Sequence, residues 1–404
     1  MKIFFNVDGF FFTIITIFLR VTLAGNLAKV KIREGTIEEI ESAMSHFYAE
    51  NHHLHHALLA EYHAHLAPIY MLDHNATKFR VPSFKIYVNL INAKLMDINE
   101  ANELLSMIID LEVRWRDIRL RWKPGNFSGI EHIVLPEAII WTPDFVYYDQ
   151  AAQAINLIPE EARYVRIYST GEVVQPVMHL VRTSCNLNMT EFPFDIQQCS
   201  VALGTLIYAA KEISYQINVP EFNEYKKSDT FGWHGNSEWE VEKPKAERIK
   251  ANNTLVKYEY INIEFTFARH PSFFMAVIIW PVFLLNSLCI LGMFVDKTGD
   301  CLNKMILGLT TLMAMAVELE IIAEEMPKTE KMPLLASFVF RAINLIALAS
   351  VVILFVPKIK KARKKLPDRH ARKLFQPNFI FLVIFETLNG LNFWWLLSHK
   401  KPHS

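Results

Sequence analysis

The chain has 404 residues, 51% of them hydrophobic, and its 42 basic and 42 acidic side chains cancel to a formal charge of zero. That balance excludes bulk attraction to nucleic acid or to an acidic partner. No Walker glycine loop, Gly-x-Ser-x-Gly or His-Glu-x-x-His motif points to an enzyme, and none points to a cofactor.

In chain order, Lys2 precedes an apolar segment that is strongest over Phe10–Leu19 and is followed by a small residue at Ala24. Despite Asp8 and Arg20 this resembles a secretory signal peptide over 1–25, with cleavage after residue 24 or 25. Thr36 to Phe47 reads as a helix. The stretch "HHLHHALLAEYHAH" over 52–65 follows, and on a helix His52, His56 and His63 share a face. Neutral imidazoles so spaced can bind zinc or copper, but a solvent-exposed polar stretch is the commoner explanation, so no metal site is assigned.

From Phe84 onward the pattern is that of strands. "FKIYVNLINAKLMDI" and "YINIEFTFAR" alternate apolar with polar residues, "LEVRWRDIRLRW" sets Leu111, Val113 and Trp115 on one side, and "YSTG" supplies a turn before "EVVQPVMHLV". Two packed sheets are expected over 26–270. Within them "CNLNMTEFPFDIQQC" places Cys185 and Cys199 either side of Phe192-Pro193-Phe194-Asp195.

Four long apolar runs follow. Phe273–Val295 has no charge, Met305–Ile322 contains Glu318 and Glu320, Pro333–Val356 contains Arg341, and Phe379–Leu397 contains Glu386. A helix of about 20 residues crosses the roughly 30 Å of hydrocarbon, so transmembrane helices are predicted over 273–295, 303–323, 333–356 and 378–397. Buried helices of a soluble domain are the alternative. The segment "KIKKARKKLPDRHARKLF" carries nine Lys and Arg against one acid, which keeps the loop 357–377 in the cytoplasm. An even number of spans then leaves everything before Phe273 outside, together with the tail 398–404. The sequons at Asn75, Asn126, Asn188 and Asn252 all precede the first span and are glycosylation candidates. In an exported domain Cys185 and Cys199 are expected to bond to each other, and Cys289 and Cys301, in and just after the first span, to remain free.

Together these motifs resemble the Cys-loop family of pentameric ligand-gated ion channels, nearest to its nicotinic acetylcholine receptor branch. The resemblance rests on the spaced cysteines around Phe-Pro-Phe-Asp, "WTPDFVYYD" over 141–149, "MDINEAN", "RWRDIRLRWKP", Arg269 before the first span, the Trp-Pro pair within it and "MPKTEKMPLLASF". It implies a β-sandwich extracellular ligand-binding domain followed by a four-helix transmembrane domain. It also implies a plasma-membrane, synaptic location, homologous subunits in a hetero-oligomeric pentamer, a small-molecule neurotransmitter and permeating inorganic cations.

The resemblance assigns roles residue by residue. Phe192, Pro193, Phe194 and Asp195, with Arg269 and Pro327, would couple agonist binding to the gate, the loop tip pressing on Pro327–Pro333; a disulfide that only staples a hairpin is the alternative. Tyr148, Tyr258 and Tyr260 would line the agonist site, because aromatic faces hold quaternary ammonium groups. That box is eroded: Leu206 stands where the family has Trp, no adjacent cysteine pair precedes Tyr258, and Asp110 replaces an aromatic on the opposite face, leaving Trp233 or Trp239 to compensate. Helical steps from Ile306 give Ile306, Thr310, Met313, Val317, Glu320 and Glu324 as one face, which would line the pore with two acidic rings near its outer mouth. Met313 stands at the family's gate Leu and Asn303 at its inner selectivity Glu, while Asp300 would add a cytoplasmic ring. The Pro-Ala insertion of anion-selective relatives is absent. A subunit that neither binds agonist nor conducts alone, or an anion-selective relative, is the other reading. Finally, an intramembrane Arg needs a partner, and Glu318 is predicted to pair with Arg341, with Glu386 as the alternative.

Overall fold

The computed structural model describes residues 37–69, 82–148, 153–220, 232–251, 257–295, 300–324, 331–363 and 377–399. The leader read over 1–25, Asn75, Asn252 and Pro327 lie outside them. The chain divides into two compact units, Met1–Glu61 with Trp122–Glu131, and Tyr62–Arg121 with His132–Ser404.

In the first unit helix α1 (Ile37–Leu59) begins with Glu38 and Glu39, whose charges suit a helix N-terminus. Having neither Gly nor Pro, it continues past the predicted end at Phe47 through the histidine run. It stops before His63, so His52 and His56 share the helix and His63 does not. Among the described residues no group of His, Cys, Asp or Glu is placed to hold a metal ion. Within this unit His46 Nε2 and Ser128 Oγ lie 3.1 Å apart, and Trp122 donates to the Ile130 carbonyl at 2.7 Å.

The second unit contains the sandwich. Its strands are β1 (Phe84–Asn99), β2 (Leu104–Arg116), β3 (His132–Pro136), β4 (Val146–Tyr147), β5 (Gln153–Asn156), β6 (Tyr164–Tyr168), β7 (Glu172–Ser184), β8 (Ile196–Gly204), β9 (Ile213–Asn218), β10 (Trp233–His234), β11 (Trp239–Val241), β12 (Lys245–Ala251) and β13 (Tyr258–Arg269). One sheet runs β10-β1-β2-β7-β6-β3, with β9 on β1 and β5 on β7; the other runs β11-β13-β8-β4, with β12 on β13. In β2 every second residue from Leu105 to Trp115 is buried, the period-two signature of a strand with one face on a core. Ile261, Ile263, Phe265 and Phe267 of β13 are fully buried in the same way. The alternation of β2 ends at Asp117, whose side chain accepts the Arg119 amide and opens a 3-10 turn over Ile118–Leu120. Gly171 turns the chain from β6 into β7 at φ 79°, where L side chains are strained.

Four helices of this unit are long and apolar enough to cross a membrane: α2 (Ser272–Val295), α3 (Cys301–Glu324), α4 (Leu334–Arg363) and α5 (Pro377–Ser398). A π-turn over Met275–Ile279 precedes Trp280-Pro281 in α2; proline donates no backbone hydrogen bond, and a local widening absorbs the loss. Gly308 brings α3 against α4, where a Cβ would overlap Ser350, the close approach small residues permit between membrane helices. Helix α5 is held by side-chain hydrogen bonds. Ser287 donates to Glu386 at 2.7 Å, Asn286 to Asn389 at 3.3 Å and Asn392 to the Phe338 carbonyl at 3.1 Å.

The membrane ion pair read from sequence is not formed. Arg341 lies with its guanidinium carbon 3.4 Å from the ring centroid of Trp395 on α5 and donates to the Ser337 carbonyl of its own helix. An aromatic face satisfies an intramembrane cation without a carboxylate. Glu318 points instead to a cavity beside α2, and Glu386 is taken by Ser287.

Candidate functional site

The geometry that unites sandwich and helices centres on Arg269, the last residue of β13, which is 1% exposed. Its Nε donates to Asp195 Oδ1 at 2.9 Å and its Nη1 to Glu100 at 2.9 Å, while Glu238 shares Nη1. The guanidinium carbon sits 4.0 Å from the Trp239 ring and 4.7 Å from the Phe192 ring. Burial raises the Glu100 carboxyl above its ordinary range, and the Arg269 charge pulls the other way.

Cys185 and Cys199 are disulfide-bonded, with Cα atoms 5.3 Å apart, and Cys289 and Cys301 are free. The loop they close carries Phe192 and Phe194 inward, 3% and 5% exposed. Asp195 is fixed from its second side by Gln197, which donates at 2.6 Å. At the tip the Phe192 ring meets Phe274 of α2 edge-on at 4.7 Å, and the Leu335 amide at the start of α4 donates to the Phe192 carbonyl at 3.1 Å. The sequence placed Phe192, Pro193, Phe194, Asp195 and Arg269 here and missed Glu100, Glu238 and Trp239. Glu100 lies within the "MDINEAN" motif, but its partner is distant in sequence and only the fold joins them. Asn188 caps the turn within the loop by accepting the Thr190 amide at 3.2 Å, and its side chain is exposed, as is that of Asn126.

A second cluster lies at the far end of β13. The Tyr148 and Tyr260 rings stand 5.2 Å apart, with Tyr258 on the same face of the strand. The Tyr148 hydroxyl donates to the Thr205 carbonyl, and burial, then Asp144 and the neighbouring tyrosines, push its pKa up to about 12. Thr205 in turn donates to Asp144 at 2.9 Å. Gly204 keeps this corner tight: a Cβ would lie 2.9 Å from Tyr148 Cε2. Leu206 is 53% exposed. Trp239 does not compensate for it, being buried against Arg269 at the opposite end of β13, and Trp233 pairs in register with Ala93 in the other sheet.

Between the sheets, Tyr147 Oη of β4 and His179 Nδ1 of β7 lie 3.0 Å apart. Burial, then Arg163, lowers the His179 pKa. Below the unfolded value of about 6.5 the unfolded chain binds a proton that the folded histidine refuses, so folding loses stability from there down to the lowered folded value. Thermal melting should therefore fall between neutral pH and pH 5, and His179→Gln should flatten that fall; an unchanged slope would contradict it.

On α3 the residues Lys304, Gly308, Thr311, Met315 and Ile322 are buried. Asn303, Ile306, Thr310, Met313, Val317, Glu320 and Glu324 are all exposed, Met313 at 73%. The exposed sector is wider than this stripe and takes in Leu302, Leu309 and Ile321.

A β-sandwich followed by four membrane-length helices, joined through a disulfide loop and a buried arginine, defines a multi-pass membrane protein. The sequence matches the neurotransmitter-gated ion-channel ligand binding domain over residues 51–271, more than half of the chain, and the chain belongs to that channel family. It is 28% identical over 295 residues to the neuronal acetylcholine receptor subunit alpha-5 of Bos taurus, covering 72% of this chain and 60% of that one. To the neuronal acetylcholine receptor subunit beta-3 of Homo sapiens it is 28% identical over 277 residues, covering 68% and 58%. To the acetylcholine receptor subunit gamma of Gallus gallus it is 27% identical over 289 residues, covering 70% and 54%. These matches thus span somewhat over half the length of each of the three relatives.

Proposed function

We propose that the chain is one subunit of a pentameric, cation-conducting, neurotransmitter-gated channel of the plasma membrane, with the sandwich outside the cell. The observation that carries this reading is the exposed face of α3, which runs from Ile306 to Glu324 and ends in two carboxylates while the opposite face is packed. Repeated around a fivefold axis, Glu320 and Glu324 form acidic rings that concentrate cations at the outer mouth. The acetylcholine receptor names of the relatives favour the same sign of ion. Glu320→Gln with Glu324→Gln should lower single-channel cation conductance severalfold at low ionic strength and less in high salt, where screening is stronger. An unchanged conductance in channels that contain the variant would overturn the pore assignment.

The agonist side supports a partner-dependent subunit. Tyr148, Tyr258 and Tyr260 supply aromatic faces for an ammonium ligand, but the Tyr148 hydroxyl is committed to Thr205 and Leu206 offers no ring. The chain expressed alone should therefore give no agonist-evoked current, and co-expression with nicotinic subunits should give receptors whose conductance carries the signature of Glu320 and Glu324. Robust current from the chain alone would refute the accessory role and leave the channel reading standing.

A further inference from the structure

Between the end of the sandwich and the outer ends of α2 and α3 lies a cavity of about 870 Å³, within the size range of small-molecule sites. One wall is acidic. Glu100 and Glu238 line it, and both already share the Arg269 guanidinium with Asp195. Glu318 adds a further carboxylate from α3. Three lining carboxylates thus face one lining guanidinium. Among the described residues Glu318 has no ion pair or hydrogen bond, and a carboxylate on a membrane-spanning helix is costly until a cation or donor reaches it.

The other wall is apolar. Phe273 and Val277 of α2 are 65% and 49% exposed, and Ile321 of α3 is 51% exposed; all three line the same cavity. A hydrated inorganic cation would match the acids and leave this surface bare. A fatty acid would match the surface and be repelled by the acids. The pairing of the two walls selects a ligand that is cationic at one end and apolar at the other.

We propose that this cavity is a binding site for an amphipathic alkyl ammonium, its headgroup at Glu318 and its chain against Phe273, Val277 and Ile321. The site lies apart from both the tyrosine cluster and the exposed stripe of α3. Its occupant touches α2 and α3 together with the residues that hold Arg269, so it bridges the sandwich and two membrane helices.

The test is photolabelling of the full chain in phosphatidylcholine bilayers with a dodecylammonium that carries a diazirine on its alkyl chain. The label should map to Phe273, Val277 or Ile321 at least tenfold more strongly than with the same chain ending in a carboxylate. Glu318→Gln should reduce it severalfold, and Glu320→Gln with Glu324→Gln should leave it unchanged. Adding phosphatidylethanolamine separates two sources of the same chemistry: suppression identifies a lipid headgroup as the occupant, and persistence identifies a free amine. Equal labelling by the carboxylate probe, labelling indifferent to Glu318→Gln, or label confined to Met313 and Val317 would each overturn the site.

Discussion

Arg269→Ala is expected to abolish delivery of folded protein to the cell surface. The guanidinium is 1% exposed and holds Asp195, itself 2% exposed, from one side of the disulfide loop. Removing one partner of a buried ion pair costs about 3–5 kcal/mol, because the other charge is left uncompensated, and here Asp195, Glu100 and Glu238 would all lose their cation. Ring packing adds to this, since Arg269 is flanked by Trp239 and Phe192. Arg269→Lys should not rescue: a compact ammonium cannot reproduce the planar fork that reaches several carboxylates and two ring faces. Asp195→Asn combined with Arg269→Gln should recover part of the surface protein, because it removes both charges of the pair whose two partners are buried. Surface levels at or above half of wild type for Arg269→Ala, measured by biotinylation, would contradict the structural role of this cluster.

The second large effect is expected from Cys185→Ser. Opening the loop between Cys185 and Cys199, 14 positions apart, gives the unfolded chain freedom worth roughly 3 kcal/mol in the chain-entropy model. The loss is local as well as global. Phe192 packs on α2 and its carbonyl receives the α4 amide, so a frayed loop also releases two helices from the sandwich. Folded yield should drop severalfold, and a non-reduced digest of the wild-type protein should contain the linked Cys185–Cys199 peptide. Free thiols at both positions in surface protein would contradict this.

The parts legible in the sequence were those governed by short-range pattern. The alternation in β2, the length of four apolar runs and the spacing of the loop cysteines each depend on neighbouring residues alone, so sandwich, helices and disulfide could be read directly. The helix read over Thr36–Phe47 stops short of the observed end of α1 at Leu59, although nothing in 48–59 forbids a helix. Side-chain partners between distant elements were the illegible part. The pairing of Arg341 with Glu318 rested on comparable depth and on Glu318 lying off the pore-facing stripe, but which residues meet also depends on how the neighbouring helices are rotated, and Trp395 on α5 occupies the place assigned to the acid. Glu100 and Glu238 were missed for the same reason, since only the closing of the sandwich brings them to Arg269.

The central claim, that the exposed face of α3 lines a conducting pore, is tested most directly by cysteine substitution read with a cationic thiol reagent. The background would be Cys301→Ser, because Cys301 is partly exposed, and the chain would be assembled with partner subunits that carry agonist-evoked current. Met313→Cys and Val317→Cys should each permit irreversible loss of that current within the reagent pulse, whereas Met315→Cys, on the packed face, should be insensitive. Current unaffected at Met313 and Val317, or lost only at Met315, would contradict the account.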